Sequence, residues 1–427
     1  MLKKSRFLTI LATFVLTVVA TLAVINFAGG EKRIDEQVER AYALQDDQFQ
    51  RALGVLLGPP ITAGNRFEAL HNGDEIFPPM LAAIRGARRS ITFETYIYWS
   101  GDIGRAFAEA LSERARAGVA VHVLLDWVGS AKIDEDFLRE MEKSGVQIRK
   151  FHKPDWWGIS RLNNRTHRKL LIADGRIGFT GGVNITDDED RRTRADAYHD
   201  VHLRIEGSAV RWLQTTFLED WSYATGENVH HMVDESIARM MPPSQPGDIA
   251  TQIVTSGPDT PLEAIHRMHV AAIQSASHRA WLTTPYFVPG EPALMALTSA
   301  ALRGVDVRLL VPRRSDSLIV SAAARSYYDE LMAAGVKVWE YKARMLHSKT
   351  LVVDDQCAMV GTANFDNRSF RLNFEVMAVV YGPALAEALV QQFRTDLRSA
   401  SPVQANRRQP FPRRLGDSLA RLTSPLL

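Results

Sequence analysis

Apolar positions recur along this chain in short β-rich runs separated by amphipathic stretches, and beyond residue 60 the same succession is stated twice. Residues 88–98 predict a strand and 103–117 a helix. Residues 118–125 (Gly-Val-Ala-Val-His-Val-Leu-Leu) predict a buried strand, and a further helix ends at Ser144-Gly145 before a strand opening at 146–148. The second statement runs through a strand at 278–288, a helix at 291–302 and a Val-rich strand at 304–311. It closes with a helix ending at Ala334-Gly335 and a strand opening at 336–338. Glycine closes each helix, where a left-handed residue is needed, and a Val-rich run opens each strand. Strands alternating with helices define an α/β layered fold, and the period is far too long for a solenoid, so the chain carries a duplicated domain. The Pro-rich segment 240–247 is the linker between the copies. The resulting division is 1–30 membrane anchor, 31–60 helical connector, 61–239 first half, 240–252 linker, 253–400 second half and 401–427 basic amphipathic tail.

The N-terminus follows a different pattern. Lys3, Lys4 and Arg6 precede an uncharged stretch whose core, residues 7–25, is almost wholly apolar. Nineteen helical residues reach about 28 Å, close to the hydrocarbon thickness of a bilayer. The stretch is long for a signal-peptide core and Ala28-Gly29-Gly30 is a poor cleavage site, so an uncleaved single transmembrane helix is the expectation. Basic residues before the span keep the N-terminus in the cytoplasm, which puts the bulk of the chain on the extracytoplasmic side of the cell's inner membrane.

Composition narrows the picture. The 427 residues are 46% hydrophobic and 23% charged, which suits a folded protein rather than a disordered one. Mean hydropathy of −0.14 excludes a polytopic membrane protein. The net charge of +2 gives no support to nucleic-acid binding. A single cysteine, Cys357, excludes an intramolecular disulfide framework and any cysteine-cluster metal site, and its apolar surroundings mark it as buried packing.

The chemistry sits at equivalent places in the two copies. The first reads His167-x-Lys169, four residues, Asp174, six residues, Gly181-Gly182-Val183-Asn184; the second reads His347-x-Lys349, four residues, Asp354, six residues, Gly361-Thr362-Ala363-Asn364. One such match arises by chance in a chain this long with a probability on the order of 10⁻⁴. Its repetition at the matching place makes accident negligible. A lone His-x-Lys would be an ordinary solvated strand edge; the duplicated pattern is not. On a strand, residues i and i+2 share a face, so each histidine points with its lysine. Asp174 and Asp354 fall at turns and are expected to brace the site rather than touch substrate. A following strand then returns Asn184 or Asn364 beside the His-Lys pair. Two histidines, two lysines and two amides suit a phosphodiester. The lysines and amides hold the non-bridging oxygens, one neutral imidazole attacks phosphorus, and the other, protonated, donates to the leaving oxygen. No metal or cofactor is required, and no acidic metal-binding cluster is evident around the motifs. Asp200 in the first copy and Glu375 in the second, each preceding a strand, are the candidate carboxylates for orienting the imidazoles.

These motifs resemble the phospholipase D superfamily, whose signature of His-x-Lys-x4-Asp followed by Gly and Asn is met by both copies, and the resemblance extends over roughly residues 60–400. Within it the closest likeness is to bacterial cardiolipin synthases, carried by Asn164–Lys169, Thr180–Ile185, His199–Gly207, Thr283–Pro289 and the terminal Ser424–Leu427. The resemblance implies two α/β/α-layered halves with pseudo-twofold symmetry and the site between them. It also implies conversion of two phosphatidylglycerols to cardiolipin and glycerol through a phosphatidyl-histidine, with His167 as nucleophile and His347 as acid and base. Long cardiolipin synthases carry two N-terminal spans, whereas one is read here.

Lesser features fit a lipid enzyme. Trp156-Trp157, just before the first motif, allows either a headgroup contact or core packing, and the tail with Arg407, Arg408, Arg413, Arg414 and Arg421 among leucines reads as an interfacial helix. Residues 187–194 read as a solvated loop near the site mouth, and Arg368 and Ser369 allow either phosphate contact or structural pairing. Three other readings compete. A phospholipase-type phosphodiesterase would use water as acceptor. A nuclease is opposed by the charge and the span. A catalytically dead lipid-binding protein is opposed by the intactness of both motifs. The partners expected are phosphatidylglycerol and the membrane, and not nucleic acid. The acceptor alcohol and oligomeric state are not set by the sequence.

Overall fold

The computed structural model describes residues 11–18, 20–21, 59–152, 163–226, 245–258, 263–404, 411–422 and 424. Its first half carries strands β1 (Thr62–His71), β2 (Ser90–Thr95), β3 (Ala120–Asp126), β4 (Gln147–Phe151), β5 (Leu170–Ala173), β6 (Ile177–Gly181) and β7 (Val201–Glu206). The second carries β8 (Ile249–Ser256), β9 (Arg279–Thr283), β10 (Phe287–Val288), β11 (Asp306–Pro312), β12 (Lys337–Tyr341), β13 (Thr350–Val353), β14 (Cys357–Gly361), β15 (Phe365–Asp366), β16 (Glu375–Tyr381) and β17 (Ala400–Pro402). Fifteen of these strands form one sheet, ordered β4-β3-β2-β5-β6-β7-β1-β8-β16-β14-β13-β9-β11-β12-β17. Apart from β17 at one edge, that order reads as a palindrome about the antiparallel β1–β8 seam. A pseudo-twofold axis therefore passes between the halves. The remaining two strands, β10 and β15, pair with each other.

Both halves use one construction. β2, β3 and β4 run parallel, as do β9, β11 and β12, and parallel neighbours require crossover helices. Those helices are Asp102–Arg116 and Glu135–Lys143 in the first half; in the second, Glu291–Leu302 and the pair Leu318–Arg325 and Tyr328–Ala333 occupy these places. One predicted helix ending at Ala334-Gly335 is thus two short ones. A buried strand alternates its side chains between two cores. Leu170 and Ile172 of β5 enter a core roofed by helices Ala209–Thr225 and Pro383–Leu397, while Leu171 and Ala173 enter the opposite one. Val352 of β13 joins that first core too, with Leu351 and Val353 facing the other way. The first core is common to both halves, whereas the cores on the far face are separate. The result is the expected α/β/α layering.

The predicted N-terminal span lies largely outside the described residues; its described residues, 11–18 and 20–21, are helical and exposed. No helix among the described residues is long and apolar enough to cross a membrane. The connector up to residue 58, residues 240–244 of the linker and Trp156-Trp157 also fall outside them. The tail, expected as an interfacial helix, is helical. Helix Phe411–Arg421 docks on the second half: Arg325 pairs with Asp417 at 2.6 Å, Arg421 covers the Tyr327 ring at 4.2 Å, and Asn367 Nδ2 donates to Ser424 O at 3.1 Å. Leu419 and Leu422 stay exposed. Cys357 is buried in β14, and burial pushes its thiol up to about 12.

Candidate active site

The halves interlock at the motifs. Thr166 bridges to Phe374, and His199 to Leu346, each pairing a residue just before a motif histidine with a residue just before a candidate carboxylate of the other half. His167 N donates to Phe374 O at 2.9 Å, and His347 N to His199 O at 2.8 Å. The next residue along each carboxylate segment therefore lands on the opposite histidine. His167 Nδ1 lies 3.0 Å from Glu375 Oε2, and His347 Nδ1 lies 2.8 Å from Asp200 Oδ2. Both predicted carboxylates hold imidazoles, but each serves the other copy's histidine, an exchange that no reading within one repeat could reveal. With a carboxylate accepting at Nδ1, each ring carries its hydrogen there and keeps its Nε2 lone pair.

The strands β5 and β13 begin at Leu170 and Thr350, so both His-x-Lys segments lie just ahead of them rather than within. The lysines are buried and fold back on their own segments: Lys169 Nζ donates to His167 O at 2.9 Å, and Lys349 Nζ to His347 O. Burial, with Lys349 nearby, pushes the Lys169 ammonium down to about 7 despite Glu375, Asp200 and Glu189. Burial lowers Lys349 as well. The two halves thus present their cations to one another. Burial also pushes His167 down to about 4, with Lys169 and Lys349 adding to it and Glu375 opposing. His347 is lowered by burial and the two lysines against the pull of Asp200. Burial works to raise Asp200 and Glu375, yet the lysine and histidine facing each carboxylate outweigh it and hold both below the usual range.

Asp174 and Asp354 turn their carboxylates to backbone N–H groups. Both adopt left-handed backbone, at φ 53° and 51°, in the β5–β6 and β13–β14 turns. Asp174 accepts the backbone N–H groups of Arg88, Arg89 and Ser90 at 2.7–3.1 Å, pinning the start of β2, and Asp354 does the same for Ser277, His278 and Arg279 before β9. Asn184 is partly engaged, with Oδ1 accepting from Ile97 N at 3.3 Å and Nδ2 directed at Glu189 Oε1 at 3.4 Å. Asn364 Oδ1 is buried without a hydrogen-bond partner. Arg368, a candidate for phosphate contact, bonds the side chain and carbonyl of Asn163 at 3.1 and 2.8 Å.

Several residues of the site were not singled out from sequence. The sequence pattern predicts a solvated loop at 187–194, yet Glu189 and Asp190 are buried, and Glu189 Oε1 lies 3.7 Å from His347 Nδ1. Thr362 donates to Glu375 at 2.5 Å, and Asn373 Nδ2 donates to it at 3.2 Å. The only sequence signal for Thr362 was its departure from Gly182 at the matching place. Arg168, between His167 and Lys169, is buried against Asp220 at 2.6 Å and donates to Glu375 O at 3.2 Å. Tyr96 meets the His167 ring edge-on at 5.0 Å, and Tyr198 meets His347 at 5.6 Å. Glu189, Asp200 and His347 bring one ligand atom each within 4.8 Å of one another, a spacing a cation could use. The Lys349 ammonium already supplies positive charge to both of these carboxyl groups.

Paired His-Lys segments crossed with carboxylates, at the seam of two pseudo-symmetric α/β/α halves, define a phospholipase D-type protein. Residues 80–221 and 270–397 match the family described as "Cardiolipin synthase, PLD-like domain". Among curated proteins, a cardiolipin synthase of Geobacillus kaustophilus is 41% identical over 374 residues, 86% of this chain and 74% of that protein. "Cardiolipin synthase 2" of Bacillus anthracis is 38% identical over 405 residues, 93% of this chain and 77% of that protein. Among solved structures, a phosphatidylserine synthase of Haemophilus influenzae superposes with a TM-score of 0.67 at 14% identity, over 90% of this chain and all (100%) of that one. A polyphosphate kinase of Porphyromonas gingivalis gives 0.55 at 14% identity, over 80% of this chain and 49% of that one. The chain belongs to the cardiolipin synthase family of phospholipase D-like proteins.

Proposed function

We propose that this chain is a phosphatidyltransferase of the cardiolipin synthase type, converting two phosphatidylglycerols to cardiolipin and glycerol. The observation that carries the mechanism is the crossed pair of imidazoles, His167 on Glu375 and His347 on Asp200, with Lys169 and Lys349 between the halves. The family and its curated members at 37–41% identity support the substrate.

His167, held neutral by burial, attacks phosphorus through Nε2. The phosphorus–oxygen bond to glycerol breaks as His347 Nε2–H gives its proton to the departing oxygen. An anionic phosphodiester between the rings favours the protonated form of His347, which burial alone disfavours. In the second half-reaction the hydroxyl of another phosphatidylglycerol loses its proton to His347 and bonds to phosphorus, releasing His167. Lys169 and Lys349 neutralise the added charge on the non-bridging oxygens, and Asn184 and Asn364 supply amide donors there. Asp200 and Glu375 hold the rings, while Asp174 and Asp354 hold the strands that carry the site.

The apolar run at 7–25 tethers the enzyme to its lipid as a single-pass inner-membrane anchor, with the catalytic halves outside the cytoplasm. The test is incubation of purified protein with phosphatidylglycerol in detergent micelles containing EDTA, with products identified by mass spectrometry. Cardiolipin plus glycerol is expected. Phosphatidic acid alone would replace the transferase with a hydrolase, and loss of turnover in EDTA would refute the metal-free chemistry.

A further inference from the structure

The pseudo-twofold symmetry makes the two histidines interchangeable unless something breaks it, and the break lies five residues beyond the motif asparagines. There the chain folds back and offers a side-chain oxygen to the asparagine's own N–H. In the second half this is Ser369 Oγ, 3.1 Å from Asn364 N; in the first it is Glu189 Oε1, 3.2 Å from Asn184 N. A neutral hydroxyl in one half is a carboxyl in the other. The adjacent slot differs too. Thr362 gives its hydroxyl to Glu375, but Gly182 stands at that place in the first half, where a Cβ would come within 2.2 Å of Asp200 Oδ1.

His347 therefore faces two carboxyl groups, Asp200 at 2.8 Å and Glu189 at 3.7 Å, whereas His167 faces Glu375, which neutral donors on Thr362 and Asn373 quieten. The other groups around His347 are Lys349 on its own segment, Lys169 from the opposite half and the Tyr198 ring. Glu189 is buried, its Oε2 has no hydrogen-bond partner, and the charges that act on it are those of Asp200, which raises its proton affinity, and Lys349, which lowers it.

We propose that Glu189 is a positioning residue that makes the two histidines unequal, committing His347 to carry the proton and leaving His167 to bond phosphorus. This rests on the transfer chemistry assigned above. Burial and the Asp200 charge push Glu189 up to about 8. The cluster of Asp200, Glu189 and His347 thus retains a proton at neutral pH, whereas the second buried carboxyl on the Glu375 side, Asp366, accepts from Ser369 N at 2.7 Å and is pushed up only to about 6. With the anionic phosphodiester bound, the proton shared by this cluster rests on the ring as Nε2–H beside Nδ1–H, and in the first half-reaction it leaves Nε2 for the departing alkoxide as the phosphorus–oxygen bond to glycerol breaks and the bond from His167 Nε2 forms. In the second it returns from the acceptor hydroxyl.

The test is a leaving-group comparison in the full chain. Glu189→Gln keeps an oxygen for Asn184 but cannot hold a proton. Phosphatidylglycerol loses an alkoxide that needs protonation, whereas a phosphatidyl p-nitrophenol ester loses a phenolate that does not. Glu189→Gln is expected to slow turnover of phosphatidylglycerol at least tenfold and to leave the p-nitrophenol burst within about threefold of wild type. Equal slowing of both would mean a packing defect and would overturn the proposal. Glu189→Ser copies the second half; peptide mapping of the quenched enzyme should find phosphohistidine at His167 alone in wild type and at both His167 and His347 in the variant. Label on His347 in wild type would also overturn it. A wild-type enzyme that releases p-nitrophenol but makes no cardiolipin would displace the proposed acceptor and leave the Glu189 comparison readable.

Discussion

Replacing Glu375 with glutamine removes one charge and almost no volume, 3.0 Å from the ring nitrogen of a histidine in the other half. As phosphorus bonds to His167 Nε2 the imidazole turns cationic, and Glu375 is the carboxylate that meets this charge through Nδ1–H. A hydrogen bond to a charged partner contributes about 1.5–3 kcal/mol, and each 1.4 kcal/mol is tenfold in rate, so kcat should fall roughly 10- to 150-fold. KM should hold, because Glu375 touches the ring and not the lipid. The pH profile should also move in a set direction. Glu375 works to raise the proton affinity of His167, whose value is about 4 with the carboxylate in place. Without it the ring stays neutral to lower pH, so the acid limb shifts further down while the plateau drops. Steady-state turnover of phosphatidylglycerol in mixed micelles from pH 3 to 9, with thermal melts to confirm folding, measures both effects. A folded Glu375→Gln enzyme with less than a threefold loss in kcat, or with an acid limb displaced upward, would refute the crossed assignment.

Other parts of the site make separate demands. Gly182→Ala sets a methyl group against Asp200, and its activity should fall at least tenfold with little change in melting temperature, read by turnover and calorimetry. Asp174→Ala and Asp354→Ala each strip three backbone N–H groups of their acceptor, so each should lose about 2–4 kcal/mol in denaturant unfolding, with activity following stability. Lys169 has a folded-state value of about 7, below its ordinary one, so its burial opposes folding in full below pH 7 and fades as pH rises toward the ordinary lysine range. A bound monoanion pairs with this ammonium; dimethyl phosphate should therefore raise the melting temperature more at pH 6 than at pH 9, and an equal rise at both would count against Lys169 as a phosphate ligand.

The duplication, the layer order and the motif residues could be read from the sequence because each rests on local signals. Glycine at helix ends, Val-rich runs and fixed spacing are written within a few residues of the feature they set. Asp174 and Asp354 belong to this class, since a turn residue with a left-handed backbone declares itself locally. The assignment of Glu375 to His167 does not, because it depends on the register of Thr166 against Phe374 across 208 positions. The burial of Glu189 is hidden from the local sequence for a related reason. A run of acidic and basic residues has the composition of a solvated loop, and only the fold-back onto Asn184 N takes one of its carboxyls inside. The amphipathic pattern of the tail predicts its helix, while the pairing of Asp417, the one acidic residue in Phe411–Arg421, with Arg325 on the second half is a long-range match that no local signal carries.

The crossing also decides what a single half can do. Cut from its partner, the first half would keep His167 and Lys169 but lose Glu375. It would expose the β1 edge that now meets β8, and it would uncover Phe151 and Tyr223, which pack on Phe374. The second half would keep His347 without Asp200. Neither fragment holds one complete histidine–carboxylate pair, so a chain divided at the predicted linker should give two fragments inactive apart and active when co-expressed and reassociated. Turnover of phosphatidylglycerol by each fragment and by the mixture reads this directly. An isolated half with more than a few per cent of the full rate would mean that an uncrossed histidine suffices, and the pairing of Glu375 with His167 would then be a packing contact rather than the source of the chemistry.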